Sequence, residues 1–391
     1  MEALRKEILK QKIDAEIFVG GSFARGTLIK QIDYDIDIFI RFNWRLTNLS
    51  DILEKIVDKV SEDLSFNLER THGSRDYFRL KNKGAIFEII PVCKIKKPRE
   101  ARNVTDLSYF HVNYVKKRIK NRYLVGEIML AKKFFHSQKV YGAESYINGF
   151  SGYGIECLII SYGSFEKMLR ALVKAKERIV LDPEKLYKKK SDVFFELNES
   201  KLHSPIILVD PTWKERNVLA ALSNETFAKF QFKVRAFLKK PSSKFFDYKD
   251  NEIEDLKRLK GEFVHLKFKT DKQEGDIAGT KMKKFSRFLE GELKRYFDVK
   301  KTEFLYSNKK KSDFYLVVNP KKEIIKFGPP VKMEKNVQEF KRKNKDVFEK
   351  SGNLYSRQKV DFNIREFLAK WKKSYDVKMK EMGIVEMKIS D

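Results

Sequence analysis

Cysteine is nearly absent. Cys93 and Cys157 are the only two in 391 residues, too few for a disulfide framework or a cysteine-rich zinc site. Both lie in apolar stretches, which predicts buried, reduced thiols. No run of 18 apolar residues occurs, and the opening MEALRKEILKQK lacks the apolar segment of a secretory signal. These absences exclude membrane-spanning helices and a stapled secreted domain, and they predict a soluble cytoplasmic protein. The chain has no internal repeat, and no low-complexity tract beyond short lysine clusters such as 188–190 and 309–311.

Acidic residues are in the minority. Asp plus Glu number 55 against 83 Lys plus Arg, a net charge of +28, and well over half of the excess lies beyond residue 225. Such an excess attracts polyanions, of which nucleic acid is the usual one. A lysine-rich composition with solvated surfaces would give the same count. What is abundant is apolar: 42% hydrophobic, 13% aromatic and 32 phenylalanines. That excludes a disordered chain, and the length allows two to four domains.

Periodicity divides the chain into three. Residues 1–107 read as a small α/β unit, with helices at 1–12 and 49–63 and strands at 17–19, 34–42, 77–81 and 84–92. Helical periodicity then dominates 108–240, over 110–136, 153–176 and 213–238. The Pro-Ser-Ser at 241–243 reads as a linker. Residues 241–391 form a basic α/β region with strands at 262–268, 302–306, 314–318 and 323–327 and helices at 280–297, 335–349 and 363–381. The fold class is therefore α+β and multidomain.

The chemistry begins with Asp33-Tyr-Asp35-Ile-Asp37. On a strand, residues two apart share a face, so three carboxylates would repel each other there while Ile36, Ile38 and Ile40 enter a core. A divalent cation removes that conflict, because Mg²⁺ prefers a few carboxylates plus phosphate oxygens. An acidic solvent face on an edge strand is the alternative. The preceding Gly20-Gly21-Ser22 ends a strand, and Arg25 follows. Glycine lets backbone approach a phosphate, the next amides and the Ser22 hydroxyl can cradle its oxygens, and Arg25 adds charge-assisted hydrogen bonds. A third carboxylate, Glu88, stands in the apolar strand IFEIIP. A Gly-Ser turn followed by Asp-x-Asp on an apolar strand resembles the nucleotidyltransferase superfamily that includes DNA polymerase beta and poly(A) polymerases.

Further segments resemble one family within it, the archaeal class I CCA-adding enzymes. These are IFVGGSFARGT with YDIDIFIRF, FEIIPVCKI, YGAESYINGFSGYGIECLIISYGSF at 141–165, DPTWKERNVLAALS at 210–223, and FGPPV at 327–331. They occur in the family's order from residue 17 to about 340. The resemblance implies a polymerase-beta-like head, a helical central domain and a C-terminal α/β RNA-binding region. It implies addition of C, C and A to a tRNA 3′ end from CTP and ATP, with two Mg²⁺ per site and the tRNA acceptor arm as partner. A homodimer is one assembly open to it.

Carried over by position, Asp35, Asp37 and Glu88 would be catalytic metal ligands, and Ser22 and Arg25 would bind triphosphate. His111, Lys132 and Tyr141 would touch the nucleotide's phosphates and sugar, and Arg216 would help read its base. From the residues alone, His111 reads first as a core or surface histidine, Lys132 beside Lys133 as a solvated helix face by default, and Tyr141 before a glycine as a packing candidate. The chain departs from the family at Glu88, where Asp is usual, at Lys326, where His is usual, and at Leu107-Ser108-Tyr109 in place of Arg-Thr-Pro. Another template-free polymerase of the superfamily, making poly(A) or oligoadenylate, would share the head. An inactive RNA-binding relative would share the fold.

Overall fold

The computed structural model describes residues 1–30, 33–64, 68–82, 84–247, 251–307 and 309–390, in two compact units, Met1–Tyr248 and Lys249–Asp391. The first unit opens with α1 (Glu2–Lys10), β1 (Ala15–Val19), the one-turn α2 (Gly21–Arg25), β2 (Tyr34–Asn43), α3 (Leu49–Leu64), β3 (Leu68–Thr71), β4 (Tyr77–Asn82) and β5 (Ala85–Lys94). Its sheet runs β1-β2-β5-β4-β3, with β2 and β5 parallel and the other pairs antiparallel. β2 changes character along its length. Its Asp-rich start is open to solvent, and Ile38 to Phe42 are buried. Ile38, Ile40 and Phe42 pack with Ile89 and Cys93 under Leu53, Ile56 and Val57 of α3 and Leu4 and Ile8 of α1. That apolar half anchors the strand while its other end carries the carboxylates.

The rest of the first unit comprises α4 (Ser108–Arg118), α5 (Arg122–Ser137), α6 (Gly152–Tyr162), α7 (Phe165–Val173), β6 (Ile179–Leu181), α8 (Asp192–Glu196), β7 (Ile206–Asp210), β8 (Trp213–Asn217) and α9 (Asn224–Lys239). A phenylalanine-rich core of Phe134, Phe135, Phe150 and Phe230 holds the helices together. Each of the three helical stretches expected over 110–136, 153–176 and 213–238 is interrupted. Asn121 accepts from the Leu124 amide and starts α5 afresh. Gly163, at φ 80°, ends α6, and Ser164 caps α7. Residues 213–217 are not helical: they are β8, paired with β7. β7 is buried throughout, so it lacks the alternation that marks a half-buried strand. Both thiols are buried and free, as expected.

The second unit contains α10 (Asn251–Lys257), β9 (Glu262–Thr270), α11 (Asp276–Tyr296), β10 (Phe297–Tyr306), β11 (Lys311–Pro320), β12 (Glu323–Pro330), α12 (Glu334–Lys343), β13 (Asp346–Lys350), β14 (Asn353–Lys359), α13 (Ile364–Ser374), α14 (Asp376–Glu381) and β15 (Ile384–Ser390). An antiparallel sheet β10-β11-β9-β15 buries Val264, Leu266 and Phe268 against Met282, Phe285 and Leu289 of α11. A second sheet runs β12-β14-β13. The helix expected over 335–349 is α12 followed by β13. Gly328-Pro329-Pro330 ends strand β12, and a Cβ on Gly328 would lie 2.7 Å from the Phe340 ring. Among the described residues, no helix is long and apolar enough to cross a membrane.

Candidate active site

Parallel pairing of β2 with β5 sets Asp37 beside Glu88, with Asp35 two residues back on the same strand face. The crowding is visible in their acidities. Burial, then the Glu88 charge, push the Asp37 carboxyl up to about 7, with Asp35 adding to the rise and Arg25 and Lys132 opposing it. Burial and Glu88 also raise Asp35. Glu88 itself is engaged across the sheet: Arg79, its partner on β4, donates to Oε1 from Nε at 2.8 Å and approaches it with Nη2 at 2.7 Å. Asp33 is paired with Lys81 at 2.6 Å. Among the described residues, no three potential ligands converge into a ready-made metal cage. The Asp35–Asp37 pair fits a divalent ion on electrostatic grounds, because its like charges lack a neutralising partner of equal strength.

The glycine turn serves this pair directly. Gly21 has φ 58°, and a Cβ there would lie 1.6 Å from Oδ2 of Asp37. The sequence suggests that glycine admits a phosphate; the structure shows that it first admits the Asp37 carboxyl. Ser22 follows on α2, partly exposed. If the pair carries the nucleotide transfer that the resemblance implies, Gly21→Ala is expected to displace Asp37 and lower it on the order of 100-fold, the usual consequence of an ångström-scale misplacement. Single-turnover incorporation would measure it, and wild-type rates would contradict the geometry.

Arg25 and Lys132 meet at a residue the sequence reading passed over. Glu156, fully buried on α6, receives Lys132 Nζ at 2.7 Å and the Thr27 hydroxyl on Oε1, and lies 2.7 Å from Arg25 Nε through Oε2. Lys132 is therefore buried, not on a solvated helix face. Tyr141 is close enough to feel the charges of Glu156, Arg25 and Asp35, and burial raises its phenol. The signal available in sequence was a lone Glu within the apolar helix GYGIECLIISY, since a buried charge requires a partner.

His111 and Arg216 meet at a second overlooked acid, Asp210. It is fully buried, and its Oδ2 takes Arg216 Nη1 at 2.6 Å and contacts His111 Nε2 at 3.1 Å. Thr212 donates to Oδ1 from its amide and its hydroxyl, both at 2.8 Å, and the Tyr153 hydroxyl donates at 3.3 Å. Tyr153 stacks on His111, with centroids 4.1 Å apart. Burial alone would raise the Asp210 carboxyl, but the hydrogen bonds from His111 and Thr212 and the charge of Arg216 bring it well below the usual range. Burial, aided by the charges of Arg216 and Arg25, holds the His111 imidazole below its ordinary value against the pull of Asp210. Arg216 lies on strand β8, not at the start of a helix.

Residues 1–92 match the family model described as "Nucleotidyltransferase domain", and 126–247 match "tRNA nucleotidyltransferase, second domain". A CCA-adding enzyme of Nanoarchaeum equitans is 33% identical over 87% of this chain and 83% of its own length. The chain belongs to the CCA-adding enzyme family. Within that family, the enzyme of Pyrococcus abyssi is 32% identical over 75% of this chain and 66% of its own length. The enzyme of Methanosarcina mazei is 31% identical over 87% and 74%, respectively. The α+β nucleotidyltransferase fold and its multidomain build agree with these matches.

Proposed function

We propose that this protein adds C, C and A to the 3′ end of tRNA from CTP and ATP, without a nucleic-acid template, in the cytoplasm. The observation that carries the reading is the Asp35–Asp37 pair packed against the Gly21 turn, in a chain whose relatives are CCA-adding enzymes. In the reaction, the tRNA 3′-hydroxyl oxygen bonds to the α-phosphorus, the bond to the β,γ-phosphates breaks, and pyrophosphate leaves with the electron pair. Asp35, Asp37 and Glu88 are the residues that would hold Mg²⁺, two ions per site. When bound, the metal supplies positive charge that makes the hydroxyl more acidic and steadies the leaving pyrophosphate. For Glu88 this requires giving up or sharing its ion pair with Arg79.

The remaining roles follow from chemistry and position. Ser22 and Arg25 supply donors for the triphosphate and Lys132 adds charge, with Tyr141 and His111 beside the sugar and phosphates. Arg216 presents a fork of donors to the acceptor edge of cytosine or to adenine, and Asp210 holds one of its nitrogens still. In this reading 1–107 is the catalytic head and 108–240 the helical domain for the base. The basic 241–391 region grips the acceptor arm through its phosphates, and so affinity falls steeply with salt.

A choice of primer tests this reading. An acceptor-arm hairpin lacking its CCA end is expected to be extended, and an unstructured oligo(A) primer ignored. Rising salt is expected to weaken hairpin binding along a linear log–log plot. Preference for oligo(A), with long tails, would replace the proposal with a poly(A) polymerase.

A further inference from the structure

Glu156 has no role in the scheme above, yet Arg25 and Lys132, the cations whose charges act on Asp37, both close on it. Its two oxygens are used differently. Oε1 is saturated: Lys132 Nζ and the Thr27 hydroxyl both donate to it, and Lys132 also donates to the Thr27 carbonyl and hydroxyl oxygens at 3.1 Å. Oε2 faces Arg25 Nε at 2.7 Å, but the N–H does not point at the oxygen, so both buried atoms lack hydrogen-bond geometry. A device built only for stability would complete both halves, because buried polar atoms left without hydrogen bonds are rare. Here Lys132 and Thr27 are locked, while Arg25 is held by charge attraction and keeps its orientation adjustable. An anchor at Nε also leaves the two Nη groups as the forked end of the guanidinium, the geometry that suits a phosphate.

We infer that Glu156 is a positioning residue for the polyphosphate of the incoming nucleotide. Its carboxylate ties Lys132 of α5 and Thr27 to α6, and it gathers Arg25 of the glycine turn beside them, so that two cations approach the metal-ligand strand as one preformed seat. The inference rests on Arg25 as a triphosphate-binding group. It does not depend on tRNA being the acceptor.

Inorganic tripolyphosphate, titrated calorimetrically into the full-length protein without RNA, provides the test. Glu156→Gln keeps the shape of the side chain and removes the charge. It is expected to weaken tripolyphosphate binding about tenfold or more, the worth of a charge-assisted hydrogen bond. The KM for nucleotide should rise by a similar factor, with the KM for RNA unchanged. A merely structural role would not split the two constants. Thr27→Val, which removes a shared hydroxyl without touching a charge, is expected to shift both in the same direction by less. Wild-type or tighter tripolyphosphate binding by Glu156→Gln would overturn the inference. If that variant does not fold, unchanged affinity in Thr27→Val would overturn it. If wild-type protein binds no tripolyphosphate, the reading of Arg25 falls and takes this inference with it. If the protein binds tripolyphosphate as described but makes poly(A), the inference stands and only the CCA reading is lost.

Discussion

Asp37→Asn is expected to abolish nucleotide transfer and, at the same time, to make the metal-free protein more stable. The rate should fall about 1000-fold or more, roughly 4 kcal/mol of lost transition-state stabilisation, because one of the paired ligand carboxylates is gone. The gain in stability has a separate cause. Asp37 is packed against Gly21 and crowded by Glu88 and Asp35, which together with burial lift its pKa to about 7. For an acid raised above its unfolded value, the folded state binds the proton more tightly. Wild-type stability therefore declines as pH rises from the unfolded value near 4 through 7, and the amide escapes that decline. Melting in EDTA across pH 4 to 8, beside single-turnover rates in Mg²⁺, would show the two effects moving in opposite directions. A variant that is less active but also less stable at pH 8 would mean that the carboxylate crowding has been misjudged.

Asp210→Ala is expected to cost about 3–5 kcal/mol, because it leaves a half-buried guanidinium, a buried imidazole and two hydroxyls without their common acceptor. The sign of the pH dependence distinguishes this acid from Asp37. The Asp210 carboxyl is held below its ordinary value, so its contribution is fully present above about pH 4 and is lost as pH falls through the lowered folded value. His111 is also lowered; its neutral form is the one the fold accepts, and stability begins to fall once pH drops below about 6.5. The Asp210–His111 cluster should thus contribute a decline in two stages from pH 7.5 to 3, opposite in sign to the Asp37 trend. Asp210→Asn should start lower and lack the second stage. Parallel wild-type and Asn curves would contradict an ionised Asp210 at the centre of the cluster.

The two acids also show where sequence reasoning stops. The DxD strand and the glycine turn were legible because period-2 alternation and a double glycine are local signals. So were the apolar faces of α3 and α11. Glu156 and Asp210 were not, because each has a partner far away in the chain: Glu156 pairs with Thr27 and Asp210 with His111. Lys132 was ambiguous beside Lys133, and only the packing of α5 decides which of the two is buried. Arg79 was hidden for a related reason: its link to Glu88 depends on the β4–β5 register, which a one-residue slip would destroy. The strand at 213–217 was masked by its partner β7, a short apolar run with no alternation to distinguish it from helix.

The most direct measurement is the sequence of the product. A tRNA ending just before its CCA should gain two cytidines from CTP alone. It should gain one terminal adenosine when ATP is also present, and nothing further from UTP or GTP. Homopolymer tails from ATP, or equal use of all four triphosphates, would contradict the account.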